Sequence, residues 1–229
     1  MNSANSNKLI AFDLDGTLLK EESVFEILKL QKNYRKKFEF SKEIIQKYEE
    51  NVIDASMEMN IYVCMFAGID IEKCRRHINT FEFVLGVKEV AEVLKKEGYL
   101  LAILSDGFTI VADYVKEKLN FDYSFANELE VEDGILTGKL ITPYNKKIYY
   151  SNCVNHNVCK RKVLTDLCKK LKIDLNNVVA VGNGNSDICF LEIAGKSIGF
   201  NPNEKIRKIA DVSVKSNDLR DILPYIINR

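Results

Sequence analysis

Residues 9–18, Leu9-Ile10-Ala11-Phe12-Asp13-Leu14-Asp15-Gly16-Thr17-Leu18, decide how the rest of the chain is read. Leu9 to Phe12 form an apolar run with the length and composition of a strand buried on both faces. Asp13 and Asp15 follow at its C-terminal end, one residue apart, and Gly16 turns the chain at once. An open α/β sheet places its ligand site at the carboxyl ends of its strands. Residues i and i+2 of an extended segment share a face, so the two carboxylates lie close together. Two adjacent negative charges on an apolar strand are costly unless a cation offsets them. The pattern therefore predicts a Mg²⁺ site with one carboxylate free for chemistry. The plainer alternative is a turn with a helix-capping Asp.

Outward from this segment the pattern changes twice. Up to about residue 85 it is helical, with apolar residues at spacings of three and four across Ser23 to Lys32, Ser41 to Val63 and Asp70 to Asn79. From about residue 86 it alternates. Helix Val87 to Glu97 precedes strand Leu100 to Leu104 and helix Phe108 to Leu119. Asn127 to Glu132 and Ile135 to Leu140 flank Asp133-Gly134, a strong hairpin signal. Helix Cys159 to Leu171 leads to the apolar strand Val178 to Val181. Helix Asp187 to Ala194, strand Lys196 to Phe200 and a last strand–helix pair ending near Ile227 complete the chain. Alternating β and α units predict an α/β fold, a doubly wound Rossmann-like parallel sheet. The helical stretch then reads as a small all-helical cap domain, residues 20–85, inserted after the first strand of a core built from residues 1–19 and 86–229. Neither internal repeats nor low-complexity segments interrupt this order.

Composition narrows the class. At 229 residues the chain can bury a full core in one or two domains. Thirty-three basic residues balance thirty-three acidic ones, so no global field points to nucleic acid or an anionic membrane. The basic run from Lys32 to Lys37 reads as a solvated helix face. Met1 to Asn7 is polar and lacks the apolar segment of a signal peptide, and no apolar run reaches the length of a membrane span. A cytoplasmic protein, monomer or homodimer, is expected. Cys153, His156 and Cys159 are spaced three apart but do not form C-x₂-C pairs, so these cysteines, with Cys64, Cys74, Cys168 and Cys189, read as small core residues rather than a zinc site.

Asp13-Leu14-Asp15-Gly16-Thr17-Leu18 after a hydrophobic strand resembles the first motif of the haloacid dehalogenase superfamily, mostly aspartate-dependent phosphohydrolases. The resemblance implies that Asp13 is the nucleophile accepting the phosphoryl group. It makes Asp15 the general acid/base that protonates the leaving alcohol and then activates water. A carboxylate that carries phosphate splits a hard hydrolysis into two displacements. By the same resemblance Ser105-Asp106-Gly107 forms the second motif, in which Ser105 and the amides after it bind phosphate oxygens beside a helix start. Lys160, ahead of the Val163-Leu164-Leu167-Leu171 face, is the best candidate for the third motif, a lysine that screens Asp13 from the incoming phosphate.

The fourth motif falls on Val178 to Gly195 and implies Mg²⁺ ligation by Asp13, Asp15, Asn183 and Asp187. Asn183 is a departure, because related phosphatases usually carry Asp there. Asn still offers an oxygen, but without the charge. At an effective dielectric near 20 one charge at ~4 Å is worth about 4 kcal/mol, roughly two to three decades of Mg²⁺ affinity, unless Asp106 or Asp187 compensates. Asp106 alternatively caps its helix.

Leu119 to Asn127, the Asp133-Gly134 turn, Thr137-Gly138 and the helical insert are similar to phosphoserine phosphatases. So is Glu22, nine residues after Asp13, which by that resemblance reads a substrate amino group. A phosphoserine pocket also calls for a cap arginine to pair the carboxylate. The corresponding stretch, Ser56 to Cys64, holds neither arginine nor lysine, and Tyr62 stands near the expected place. Cys153 to Leu164 looks like a sister branch acting on phosphoethanolamine, phosphocholine and related esters. A substrate without a carboxylate suits an acidic residue and aromatic faces, which hold a cation. The expected activity is hydrolysis of a small phosphorylated metabolite by a Mg²⁺-dependent phosphomonoesterase. The alternatives are a weakly active phosphate-binding or regulatory member, and a phosphotransferase.

Overall fold

The computed structural model of the chain describes residues 8–144 and 156–227. Its centre is a seven-stranded sheet in the order β4-β3-β2-β1-β5-β6-β7. The strands are β1 (Leu9–Phe12), β2 (Leu100–Phe108), β3 (Tyr123–Glu132), β4 (Ile135–Ile141), β5 (Val178–Gly182), β6 (Lys196–Phe200) and β7 (Val212–Val214). All neighbours run parallel except β3 and β4. That pair is the hairpin expected at Asp133-Gly134, where both turn residues take positive φ, 48° and 79°.

β1 lies between β2 and β5, with Leu9 level with both Leu100 and Val178. Period-2 alternation sends its side chains into two separate cores, which is what double winding requires. Ile10 and Phe12 pack in one layer with Val90 and Leu94 of α5 (Val87–Lys96) and Val111 and Val115 of α6 (Thr109–Leu119). Leu9 and Ala11 pack in the other with Val163, Leu164 and Leu167 of α7 (Lys160–Leu171) and Leu191 of α8 (Ile188–Leu191). The chain ends in α9 (Glu204–Ile209), β7 and α10 (Leu223–Ile226).

Four helices separate β1 from α5: α1 (Ser23–Leu28), α2 (Tyr34–Glu49), α3 (Ala55–Cys64) and α4 (Ile71–Ile78). The single helix expected over Ser41 to Val63 is two. Asn51 takes a left-handed turn at φ 57°, and Asp54 restarts the chain by accepting the Met57 N–H at 2.8 Å. Periodicity alone missed this break because the apolar spacing runs on through it. Ile44, Tyr62, Val63, Phe66 and Ile78 join the core layer of Ile10 and Phe12, so the insert shares apolar packing with the sheet. The tip hairpin reaches up to it. Gly68 donates to Leu136 O and Ile71 to Gly134 O, both at 2.9 Å.

The helix expected over Asp187 to Ala194 is shortened to Ile188–Leu191, after a 3₁₀ turn at Asn185–Asp187. Cys74, Cys159, Cys168 and Cys189 are buried and Cys64 is exposed, while Cys153 lies outside the described residues. Among the described residues no helix is long and apolar enough to cross a membrane.

Candidate active site

Because β1, β2 and β5 are parallel and adjacent, their carboxyl ends meet on one edge of the sheet. Asp13 continues β1 there and donates its N–H to Val181 O of β5 at 2.9 Å. Its Oδ1 accepts from Lys160 Nζ at 2.5 Å. Lys160 opens α7, is fully buried, and makes a second bond of 2.5 Å to Asp187 Oδ1. Burial opposes its charge, but the two carboxylates override it and hold the ammonium protonated, and the Phe190 ring lies 5.5 Å away. Asp13 itself is pushed well above the usual carboxylate range, first by burial and then by the charge of Asp187. One lysine between two carboxylates offsets only one of them, so ionising Asp13 beside Asp187 costs energy unless a further cation is supplied.

Asp15 points toward the start of α1. Its Oδ1 accepts the Ser23 N–H at 3.1 Å and its Oδ2 the Ser23 hydroxyl at 2.8 Å. These bonds favour the ionised form, as any carboxylate at a helix N-terminus experiences. Burial and the neighbouring Glu22 outweigh them and raise the Asp15 pKa to about 7. Ser23 is a site residue that sequence reading missed; its signal is the short reach from Asp15 to the first turn of the next helix.

Ser105 is buried at the far end of β2, and its Oγ accepts the Gly107 N–H at 2.9 Å. The expected cradle differs in its backbone. β2 continues to Phe108 instead of ending at Leu104, and α6 begins at Thr109, so Ser105 lies within the strand, four residues ahead of the helix. A register shift against β3 absorbs the irregular stretch. Asn127, buried in β3, steadies it by donating to Asp106 O at 2.7 Å and Gly107 O at 3.3 Å.

Asp106 is neither a helix cap nor turned toward Asn183. Its Oδ1 accepts the Val158 N–H at 2.9 Å, and its Oδ2 lies 3.9 Å from His156 Nδ1. It ties the end of β2 to the loop that delivers Lys160. Burial raises its pKa to about 6.

The structure corrects two expected contacts. Asp187 was expected to face a metal, but it is sealed off from the open side of the site: its Oδ1 accepts from Lys160, and its Oδ2 accepts the N–H groups of Asn183 and Gly184 at 2.9 Å each. It is fully buried and shapes the β5 loop while holding the lysine. Tyr62 was expected in the substrate pocket. It is buried instead, packed edge-on against Phe25 with ring centroids 5.6 Å apart, and its hydroxyl donates to Glu58 Oε1 at 2.9 Å.

Among the described residues no three Asp, Glu, His or Cys side chains converge as a metal cage. Asn183, an amide, is not of those residue types. Its side chain closes over the turn after Asp15, where a Cβ on Gly16 would come within 2.3 Å of Asn183 Nδ2. Gly16, at φ +74°, is required twice over at that position. Asp13, Asp15 and Asn183 are all oxygen donors, the set a hard cation takes. A cation beside Asp13 would also offset the cost that burial and Asp187 impose on its ionised form.

These groups border a cleft of about 290 Å³ between the strand ends and the helical insert. Asp13, Asp15, Ser105, Asp106, Gly107, His156 and the loop 183–186 line one side; Glu22, Ser23, Val24, Tyr48, Ala55, Glu58 and Met59 line the other. Tyr48, Glu58 and His156 were not foreseen. α2, α3 and the loop before α7 bring them in from distant parts of the chain, so no local motif signals them.

A protein-family model described as haloacid dehalogenase-like hydrolase matches residues 10–192. The chain belongs to that family. Within it, phosphoserine phosphatase of Methanocaldococcus jannaschii is 33% identical over 222 residues, covering 96% of this chain and 97% of that protein. Phosphoserine phosphatase of Idiomarina loihiensis is 34% identical over 219 residues, with 96% and 93% covered. A solved phospho-aspartyl intermediate analogue of phosphoserine phosphatase superposes with a TM-score of 0.81 at 33% identity, over 96% of this chain and 99% of that one. A substrate-bound phosphoserine phosphatase complex gives 0.81 at 32% identity, over 96% and 98%. The fold and the membership together make this chain a phosphatase of the family, of the phosphoserine phosphatase-like kind.

Proposed function

We propose that the chain is a Mg²⁺-dependent phosphomonoesterase acting on a small phosphorylated metabolite, with Asp13 carrying the phosphoryl group. The observation that carries this reading is the pairing of Asp13, held by Lys160 at 2.5 Å, with Asp15, whose pKa is raised to about 7. The substrate phosphate would rest against Ser105 and the backbone around Gly107. An Asp13 carboxylate oxygen attacks phosphorus and the bond to the ester oxygen breaks. Asp15 gives its proton to that oxygen as it leaves. In the second displacement Asp15 takes a proton from water, the water oxygen attacks phosphorus, and the bond to Asp13 breaks. A group that titrates near neutrality suits both duties. Asp13, Asp15 and Asn183 would hold Mg²⁺, whose charge offsets that of the phosphate. Asp187 and Asp106 act through others, the first by fixing Lys160 and the second by tying its loop to β2.

Residues 20–85 act in this reading as a cap over a core of residues 1–19 and 86–229, excluding water and sorting leaving groups. The cleft lined from both sides supports it, as does the Ser56 Oγ to Asn157 Oδ1 bond of 2.6 Å between them. A second reading, weak turnover with retained phosphate binding, rests on Asn183. Phosphotransfer shares the first displacement and differs only in the acceptor admitted to the second.

Phosphate release with excess Mg²⁺, from p-nitrophenyl phosphate and a panel of small phosphomonoesters, tests the proposal against Asp13→Asn as blank. Release from the native chain and none from the variant is expected. Equal release from both would remove Asp13 from the mechanism, and none from either would favour the binding reading.

A further inference from the structure

The cap wall of the cleft carries charge of one sign. Glu22 and Glu58 stand on it, while Asp13, Asp15 and Asp106 stand opposite. Among the described residues lining the cleft there is no lysine or arginine, and Lys160, beneath Asp13, is already shared between two carboxylates. A doubly negative phosphate entering such a cleft gains from a positive charge on its own leaving group. A leaving group with a carboxylate would add a further negative charge and meet no lysine or arginine among the described lining residues to pair it.

Glu58 is held for this position. Asp54 starts α3 by accepting the Met57 N–H, which sets the first turn on which Glu58 lies. One turn later the buried Tyr62 donates to Glu58 Oε1 at 2.9 Å and orients the carboxylate. Tyr62 therefore acts on the cleft through Glu58. Tyr48 lines the same side and adds an aromatic surface, which favours a cation over an anion.

We propose that the substrate is the phosphate monoester of an amino alcohol without a carboxylate, its ammonium group held by Glu22 and Glu58. The inference rests on the phosphomonoesterase reading of the same cleft and names its leaving group. It adds Glu58 as a specificity residue and Tyr62 as the residue that positions it.

Three esters that differ by one group at a time test it. Phosphoethanolamine carries the ammonium alone, phosphoserine adds a carboxylate, and ethylene glycol monophosphate has neither. Their kcat/KM values are measured on the native chain with saturating Mg²⁺, and their affinities by calorimetry on Asp13→Asn, which cannot turn them over. Phosphoethanolamine is expected to exceed each of the others at least about tenfold in both measurements. Glu58→Gln should shrink its advantage over ethylene glycol monophosphate about tenfold, and Tyr62→Phe should shrink it less, mainly through KM. Phosphoserine equal to or better than phosphoethanolamine in affinity would overturn the inference, as would no advantage over the amine-free ester. Release from p-nitrophenyl phosphate separates the two levels. With that release intact, either result defeats only the leaving-group assignment. Without it the hydrolase reading fails, and the calorimetric ranking alone decides the leaving group.

Discussion

At the scale of single residues, two side chains of the β5 loop have exchanged the importance that their spacing suggests. Asn183 and Asp187 are four apart and both look like ligands, yet Asp187 is fully buried with both oxygens engaged. Asn183 alone lies over the Asp15 turn. Asp187→Asn is therefore expected to lower kcat by about 100-fold, because Lys160 loses half its anchor, and to weaken Mg²⁺ by less than about tenfold, through the loop that carries Asn183. A matching loss of affinity, read by calorimetric Mg²⁺ titration, would restore Asp187 as a ligand. Asn183→Asp adds a charge where a cation is wanted. It should tighten Mg²⁺ by about 100-fold, given about 4 kcal/mol for a unit charge at ~4 Å less the desolvation it incurs. No change in that titration would place Asn183 outside the metal's shell.

At the scale of elements, the cleft depends on where short helices start. Asp15 reaches the first turn of α1, Asp54 starts α3, and Lys160 opens α7. Orphan N–H groups at the first two starts give Asp15 and Asp54 a reason to be there, while at the third the Lys160 ammonium gathers Asp13 and Asp187. Asp54→Ala should cost about 1 kcal/mol of stability, read as a lower urea midpoint with an unchanged slope. It should also raise KM more than it lowers kcat, since Glu58 lies on the loosened turn. An unaltered KM would mean that α3 keeps its place by packing alone. The hairpin contributes at the same scale. Gly138 lets β4 approach the end of α3, and a Cβ there would lie 3.2 Å from Cys64 O.

At the scale of the whole molecule, the site stores charge at the expense of stability. In the unfolded chain Asp15 ionises near 3.8; in the folded protein it keeps its proton to about 7. Across that window the folded state binds more protons, so stability falls as pH rises and levels off above it. Asp106, raised to about 6, and Asp13 and Glu22, also raised, act in the same sense. The metal-free protein should therefore melt at lower temperature at about pH 8 than at about pH 5, and Asp15→Asn should flatten the slope. Excess Mg²⁺ should recover part of the loss at the higher pH. A melting temperature that climbs over this range would show that the acidic cluster is not strained. The alternation of strands and helices, the hairpin and the meeting of Lys160 with Asp13 were legible in the sequence, because period, composition and strand-end carboxylates are local signals. The break between α2 and α3 was not, since apolar spacing continues through it. Nor was the direction in which Asp187, Tyr62 and Glu58 turn. Which way a side chain faces is set by how its element packs, and for Asp187 the partner that packing supplies lies far along the chain. In sequence Tyr62 and Asp187 were polar residues at suggestive positions. Only the tertiary structure turned Asp187 toward Lys160, and only it buried the Tyr62 ring so that the hydroxyl closes on Glu58 of the same helix instead of entering the cleft.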